Sequence, residues 1–444
     1  MTTCDVVVVG LGPGGEAAAT RLAGAGLDVV AVDRRLVGGE CPYFGCVPTK
    51  MMIHAAQPIA ESRRLPGAAE VRPDWARLAR RIREEATDDW DDAVAVKRLE
   101  DAGIRFVRGH GRLVGPGRVE VEGTTYDATR GVLLNTGTEP ALPPVDGLAD
   151  TPYWTNRDAV RLTELPARLA VIGGGAIGCE LAQVFARFGV AVTLVEVADR
   201  LLAGEEPEAS RLVGDAFAAD GIQVRTGVKI ASVQHADGTF TLDLGDQQVD
   251  ADKLLVAAGR RPNLPDIGLD SVGLDPSARA IPVDEQMRAA EKLWAIGDIT
   301  GKGAFTHMSM YQSDVAARSL LERGGPWADY RAVPRVTFTD PEVGAVGMTE
   351  QQARDAGLEV RTATGGLGSR GWIAERDGVV KLVADARRGV LVGGTVVAPA
   401  GGEVLSMLVT AVHAEVPLAT LRSMIYAYPT FHRAVEPVVE ELLD

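Results

Sequence analysis

One pattern constrains this chain more than any other, and the chain carries it twice. Asp5 to Val9 is an apolar run, followed by Gly10-Leu11-Gly12-Pro13-Gly14-Gly15, the helix-like Glu16 to Ala25, and a second apolar run, Asp28 to Val32, ending in Asp33. The design recurs as Leu169 to Ile172, then Gly173-Gly174-Gly175-Ala176-Ile177-Gly178, a helix-like Glu180 to Phe188, and Ala191 to Val195 ending in Glu196. Each is a β-α-β unit with a glycine fingerprint at the strand-to-helix turn. The first glycine permits a tight turn, the second lets backbone approach a pyrophosphate, and the third lets helix and strand pack closely. The helix N-terminus then faces the phosphates, and the acid closing the second strand accepts hydrogen bonds from ribose hydroxyls. Two such units predict an α/β protein with two dinucleotide sites.

Composition agrees. At roughly 100–200 residues per domain, 444 residues suffice for two to four domains with formed cores. With 46% apolar and 24% charged residues, the balance is that of a soluble globular protein. No apolar run approaches the ~20 residues needed to span a bilayer. The first, Val6 to Val9, has no basic lead and stops at glycines, so no signal peptide is expected. The net charge of −15 disfavours nucleic acid and anionic membranes as partners. Four cysteines do not make a disulfide scaffold, so a cytoplasmic setting is expected, and any cysteine pair reads as chemistry.

Between the two fingerprints, residues 68–104 are charge-rich with a helical pattern, residues 105–134 alternate like short strands, and Pro140 to Asn156 reads as a crossover. A third glycine-and-acid element, Ala295-Ile296-Gly297-Asp298, follows a strand near residue 293. Beyond Pro334, strands are expected at Val336 to Phe338, Val380 to Val383 and Val390 to Val397, and helices at Glu403 to Glu415 and Arg433 to Leu443. This last stretch reads as a separate α+β domain starting near residue 330.

The sharpest chemical feature is Gly38-Gly39-Glu40-Cys41-Pro42-Tyr43-Phe44-Gly45-Cys46-Val47-Pro48-Thr49-Lys50. Two cysteines at this spacing reach disulfide range if the turn between them is tight. A helix N-terminus there would lower a thiol pKa. Lys50 lies one helical turn beyond Cys46 on the same face. Inert buried cysteines and metal ligation are the alternatives. The other cysteines are Cys4 and Cys179 and no histidine pairing is evident, so no metal site is expected.

With these residues in place, the whole chain resembles the FAD-dependent pyridine nucleotide–disulfide oxidoreductases, which include dihydrolipoamide dehydrogenase, glutathione reductase and mercuric reductase. Gly10, Gly12, Gly14 and Gly15 with Asp33 resemble the FAD fingerprint, although the family more often has Glu at the acid. Asn135-Thr136-Gly137-Thr138-Glu139-Pro140 and Ala295 to Asp298 resemble two further FAD elements, and Phe338-Thr339-Asp340-Pro341-Glu342, Val346 to Glu350 and Gly402-Glu403 resemble the dimerisation domain. Gly173, Gly175, Ile177 and Gly178 with Glu180 and Glu196, and the strand-end motif Ala258-Gly259-Arg260-Arg261-Pro262-Asn263, resemble the nicotinamide site.

The resemblance implies an FAD domain of residues 1–150 and 271–329, a nucleotide domain of 151–270, and a homodimerising C-terminal domain of 330–444. It implies FAD contacts at Gly111, Thr136, Gly137, Gly297, Asp298, Thr306 and His307. The helix beginning near His307 would aim its N-terminus at the flavin's pyrimidine end. Cys46 would be the thiol nearest the flavin and Cys41 the interchange thiol that meets substrate. Lys50 and Glu180 would pair beside the flavin ring.

The tail departs from the family pattern H-P-T-x-x-E, whose histidine is the acid–base catalyst for the partner's thiols. Here the segment reads Tyr426-Ala427-Tyr428-Pro429-Thr430-Phe431-His432-Arg433. Tyr428 stands for the histidine and Arg433 for its orienting glutamate. A phenol titrates near ~10 and is a poor proton acceptor at neutral pH. Mercuric reductases also lack the histidine but end in a cysteine pair, whereas no cysteine follows Cys179 here. His432 with Glu436 offers a displaced dyad on one helical face. Glu196 favours NAD(H) over NADP(H) by repelling a 2′-phosphate, with Arg200 the residue that leaves NADP(H) open.

The leading expectation is therefore a flavoenzyme moving electrons between NAD(P)H and a small or protein disulfide through Cys41 and Cys46. A quinone or metal-ion reductase on the same scaffold is the alternative among enzymes. A flavin-bound interaction protein with decayed catalysis is the alternative outside them.

Overall fold

The computed structural model describes residues 1–65, 67 and 70–444. They form two compact units: Met1–Pro48 with Arg81–Ala141 and Arg260–Asp329, and Thr49–Arg80 with Leu142–Gly259 and Tyr330–Asp444.

In the first unit the strand Thr2–Val9 sits centrally in a sheet, parallel to Val29–Asp33 on one side and to Thr124–Leu134 on the other. Val7 registers with Val30 and Val132, so three valines share one level of the sheet. Leu293–Ala295 adds a parallel strand beyond Thr124–Leu134, and Arg105–Arg108 one beyond Val29–Asp33. Val6, Val7, Val8 and Val29 to Val32 are fully buried, as a parallel strand covered on both faces requires. Each such valine stabilises the fold by about 1.5–3 kcal/mol relative to exposure. The short strands of residues 105–134 occur as expected. Within the charge-rich stretch, helices cover Trp75–Arg81 and Ala93–Asp101; its residues 68 and 69 lie outside the described ones.

The second unit holds a parallel sheet in the order Gln223–Arg225, Ala191–Val195, Arg168–Ile172, Lys253–Val256. A three-stranded meander over Ser232–Ala236, Thr239–Asp243 and Gln248–Ala251 packs its Val233, Phe240 and Leu242 into the same core. Its strands are of ordinary alternating type, and no sequence motif marks them. The C-terminal part is an antiparallel sheet of strands Pro334–Thr337, Glu342–Gly347, Val390–Ala398, Val379–Asp385 and Val360–Gly365. The helices Gly401–His413 and Val435–Leu443 pack on it through Leu405, Leu408, Val438 and Val439.

Charge ties the fingerprint helix Ala176–Arg187 to this sheet. Asp340 receives Arg187 at 2.9 Å and Arg64 at 3.3 Å, and is also bonded by Arg376. Burial alone would raise the Asp340 carboxyl, but the three guanidiniums hold it below the usual range. Lys381, buried in its strand, meets Glu206, Glu208 and Glu350 at 2.9–3.0 Å. Removing one partner of such a buried pair costs about 3–5 kcal/mol. No helix of the described residues is long and apolar enough to cross a membrane.

Candidate active site

In the first unit the helix Pro13–Gly24 starts at Gly12, whose side has no capping side chain, so the first-turn amides point outward. A Cβ on Gly15 would lie 2.0 Å from the Gly10 carbonyl oxygen, and one on Gly14 would lie 2.0 Å from the Ser309 hydroxyl. Neither can be accommodated, so both positions demand glycine. At Gly12 the same addition meets only Asn135 Nδ2, at 3.4 Å, leaving the approach to the helix start clear. Asp33 accepts hydrogen bonds from the amides of Leu11 and Arg35, both at 2.7 Å. Burial raises its carboxyl while these two bonds pull the other way. The cradle thus has the shape and the acid that an adenine dinucleotide requires.

Other expected contacts gather in this unit. Thr136 and Asn263 exchange hydrogen bonds, each at 2.9 Å, beside Gly137. Gly111 packs against Val9 and Val32. The Gly297 amide donates to Gln312 at 2.6 Å. Asp298 accepts from the Thr138 hydroxyl at 2.6 Å, and that hydroxyl accepts from Arg260 Nε at 2.7 Å. Arg260 also pairs with Glu40 at 3.6 Å. A charged chain therefore runs from Asp298 to the residue beside Cys41. Spacing alone does not single out Thr138 and Arg260, because their partners are distant in sequence.

The two cysteines do not share one helix. Cys41 lies half-buried in the short helix Glu40–Tyr43, and Cys46 opens the next, Cys46–Arg64. Gly39 precedes them at φ +67° and packs its α-carbon side against Gly12, so the cysteine loop lies on the fingerprint turn. Neither sulfur is in a disulfide in this structure. Their mutual hydrogen bond and burial push the Cys41 thiol up, while a hydrogen bond from Thr306 pulls it down. Thr306 lies 3.4 Å from the Cys46 sulfur and opens the helix Thr306–Leu320, with His307 next to it stacked on Phe305. Two helix N-termini thus converge on Cys46, an arrangement that stabilises a thiolate.

The second unit carries the other fingerprint. A Cβ on Gly178 would lie 1.9 Å from the Gly173 carbonyl oxygen, whereas one on Gly175 would meet nothing within 4 Å. Gly259, at φ +123°, also faces open space, and Ile177 is half-buried on the first helical turn. Glu196 accepts from the Gly174 amide and, at 2.7 Å, from the Ala198 amide. Arg200 is turned into its own loop, donating to Ala203 O at 2.7 Å and Glu205 O at 3.1 Å. That geometry commits the one arginine that left a 2′-phosphate possible.

Lys50 and Glu180 meet at 2.7 Å. The other Glu180 oxygen accepts the Phe338 amide at 2.8 Å, and the Lys50 ammonium sits 4.7 Å from the Phe338 ring centroid. Phe338 therefore holds both members of the pair, a role no sequence pattern revealed.

Residues 4–315 match the family described as pyridine nucleotide-disulphide oxidoreductase, and residues 333–439 match its dimerisation domain. The chain belongs to the pyridine nucleotide–disulfide oxidoreductase family. Members of this family use FAD and NAD(P)H. The chain is similar to the dihydrolipoyl dehydrogenase of Thermus scotoductus, 33% identical with 100% of this chain and 98% of the relative covered. It is similar to the mercuric reductase of Acidithiobacillus ferrooxidans, 34% identical with 96% and 80% covered. Among solved structures it resembles the Cu(II) complex of the HOCl-induced flavoprotein disulfide reductase RclA from Escherichia coli, with a TM-score of 0.87, 25% identity and 100% of both chains covered.

Tyr428 is 69% exposed and donates to the Ser369 hydroxyl at 3.1 Å. The dyad expected of His432 and Glu436 is not assembled: Glu436 pairs with Arg433 at 3.0 Å and Arg422 at 4.0 Å, and the His432 ring packs near Tyr426. A guanidinium three residues away outcompetes a weaker imidazole partner for the carboxylate.

Proposed function

We propose that this chain is an NADH-dependent flavoprotein reductase in which Cys41 and Cys46 form the redox-active disulfide. Cys46 is the thiol nearest the flavin, and Cys41 meets the acceptor. The observation that carries this reading is the convergence of two helix N-termini and the Thr306 hydroxyl on the Cys46 sulfur. Bound FAD supplies a two-electron carrier between nicotinamide and disulfide. Gly10, Gly12, Gly14, Gly15, Asp33, Gly297 and Asp298 hold it, within residues 1–150 and 271–329. Gly173, Gly175, Gly178 and Glu196 hold the nicotinamide nucleotide within 151–270. Lys50, fixed between Glu180 and Phe338, would hold a positive charge toward bound FAD. Residues 330–444 form a homodimer whose tail covers the partner's Cys41. The low cysteine count suits a cytoplasmic setting.

Anaerobic titration of the holoprotein with NADH tests this reading. Two-electron reduction is expected to produce a long-wavelength charge-transfer band; direct passage to reduced flavin without that band would overturn the disulfide assignment. NADH is expected to exceed NADPH in kcat/KM by about tenfold or more, since one mismatched charged contact is worth roughly 1–3 kcal/mol. Equal efficiency with both nucleotides would remove the role given to Glu196 and to the committed Arg200.

A second reading, reduction of a quinone or a metal ion, is favoured by the tyrosine in place of the tail base and by RclA having been obtained as a Cu(II) complex. Such acceptors need no thiol protonation. A steady-state screen with NADH against lipoamide, small disulfides, quinones, Cu(II) and Hg(II) separates the two.

A further inference from the structure

Between Thr87 and Asp91 the backbone adopts a form that L side chains rarely allow. Asp88, Asp89 and Trp90 have φ of +48°, +56° and +58°, and no glycine stands among them. Aspartate tolerates this left-handed region, but a bulky tryptophan there is an outlier. Three such residues in a row carry strain that persists only where the surroundings over-determine it. The turn follows a π-helical segment, Ile82–Ala86, a second uncommon backbone form that is frequent at functional places. The buried Thr87 hydroxyl joins the two, donating to the carbonyls of Ile82 and Arg83, both at 3.1 Å. The Trp90 amide then bonds the Thr87 carbonyl at 2.8 Å, and the Asp91 amide bonds the Asp88 carbonyl at 3.0 Å.

This strained turn grips the cysteine loop. The Trp90 indole N–H donates to the Tyr43 carbonyl at 3.1 Å, and the Tyr43 phenol donates back to the Asp91 carbonyl at 3.4 Å. Tyr43 is buried, ends the helix that carries Cys41 and stands three residues before Cys46. On the N-terminal side of the same loop, buried Asp92 accepts the Val37 amide at 2.7 Å and Arg108 at 2.6 Å. The loop itself is tight. The Phe44 amide donates to the Glu40 carbonyl at 2.8 Å, and a Cβ on Gly45 would lie 3.6 Å from the Cys41 α-carbon. The left-handed turn thus sets an indole N–H and the next carbonyl on one residue that lies between the two cysteines.

We propose that Trp90 is a positioning residue for the Cys41–Cys46 pair, held by the strained turn so that the loop between the thiols keeps one conformation and the disulfide is favoured over the dithiol. The inference rests on the reading of the two cysteines as the redox pair. On reduction the S–S bond takes up two electrons and two protons and becomes two thiols. An unrestrained loop then gains conformational freedom, which favours the open dithiol. A clamped loop gains little, so its thiols stay placed to close again. Releasing the clamp frees the dithiol alone, because the covalent bond restrains the disulfide in any case. The reduction potential of the pair must then rise.

The test is a redox equilibrium. Holoenzyme is brought to equilibrium without oxygen in dithiothreitol buffers of stepped reduced-to-oxidised ratio. Dithiothreitol gives up two electrons and two protons and closes into its cyclic disulfide, so the exchange balances. Samples are quenched in acid and alkylated in denaturant, and the mass of the peptide carrying Cys41 and Cys46 reports the dithiol fraction. Phenylalanine in place of Trp90 keeps an aromatic ring and removes the indole N–H. Trp90→Phe is expected to shift the equilibrium constant about tenfold toward the dithiol, which is about 30 mV for a two-electron couple. Tyr43→Phe removes only the longer of the two bonds, and is expected to shift it the same way by about threefold; it carries the test alone if Trp90→Phe does not fold. Asp89→Gly keeps the turn, relieves its strain and is expected to stay within about twofold of wild type. A shift toward the disulfide in Trp90→Phe, or a shift in Asp89→Gly as large as in Trp90→Phe, would overturn the clamp. A wild type that forms no Cys41–Cys46 disulfide at any ratio overturns the redox-pair reading and the clamp with it, whereas a wild-type disulfide whose equilibrium is unmoved in Trp90→Phe and Tyr43→Phe overturns the clamp alone.

Discussion

Cys46→Ser is expected to abolish the long-wavelength band and to lower NADH-dependent disulfide turnover by at least about a thousandfold, the scale seen when a covalent nucleophile is lost. The physical reason lies in the sulfur's surroundings. Cys46 is the first residue of one helix and is touched by the first residue of another, so a negative charge there is stabilised twice over, by about 0.3–1 kcal/mol for each helix N-terminus. A serine hydroxyl in the same place does not ionise and cannot form a disulfide. Serine is well tolerated at a helix start, so the variant should fold, and flavin reduction by NADH should still be visible in stopped flow because hydride transfer precedes the thiols. Persistence of the band in Cys46→Ser would show that another group faces the flavin.

The second large effect concerns the tail. Turnover with lipoamide is expected to fall about 10²–10⁴-fold below that of a reductase with a positioned tail base, the usual worth of general acid–base catalysis. Quinone reduction should not suffer in proportion. Tyr428→Phe should change disulfide turnover only modestly, because the phenol is held as a donor to Ser369. Tyr428→His alone should not create an efficient reductase. Arg433 occupies the orienting position, and the nearby carboxylate, Glu436, is already engaged by Arg433 and Arg422, so the new imidazole would have nothing to fix its tautomer. His432→Ala should likewise have a small effect; a loss of about a hundredfold with flavin reduction spared would instead make His432 the base. Fast lipoamide turnover that is indifferent to both Tyr428 and His432 would leave the tail without the role given to it here.

Much of this was legible in the chain because the deciding contacts are local. The third glycine of each fingerprint, Gly15 or Gly178, must clear a carbonyl only five residues earlier. The acids Asp33 and Glu196 bind amides of the turn they close, 22 residues away. Such requirements act within one β-α-β unit, where backbone sterics and short loops leave few alternatives, so residue spacing alone reports them. The strand–helix order of the C-terminal domain was visible for the same reason, although the strands Glu342–Gly347 and Val360–Gly365 and the meander of residues 232–251 were not.

By itself, then, the sequence determined two dinucleotide-type cradles, a thiol pair at a helix start and the absence of a histidine at the expected tail position. Tertiary structure alone decided what each side chain meets. Thr306 reaches Cys46 across 260 residues, Phe338 reaches Glu180 across 158, and Arg260 reaches Thr138 across 122. Arg200 donates into its own loop, and Glu436 pairs with guanidiniums and not with an imidazole. These pairings depend on the order in which strands are laid into each sheet and on competition among several polar partners for one buried acceptor. Neither is encoded by local periodicity, because the energy that selects among them arises only once burial has removed water as the alternative partner.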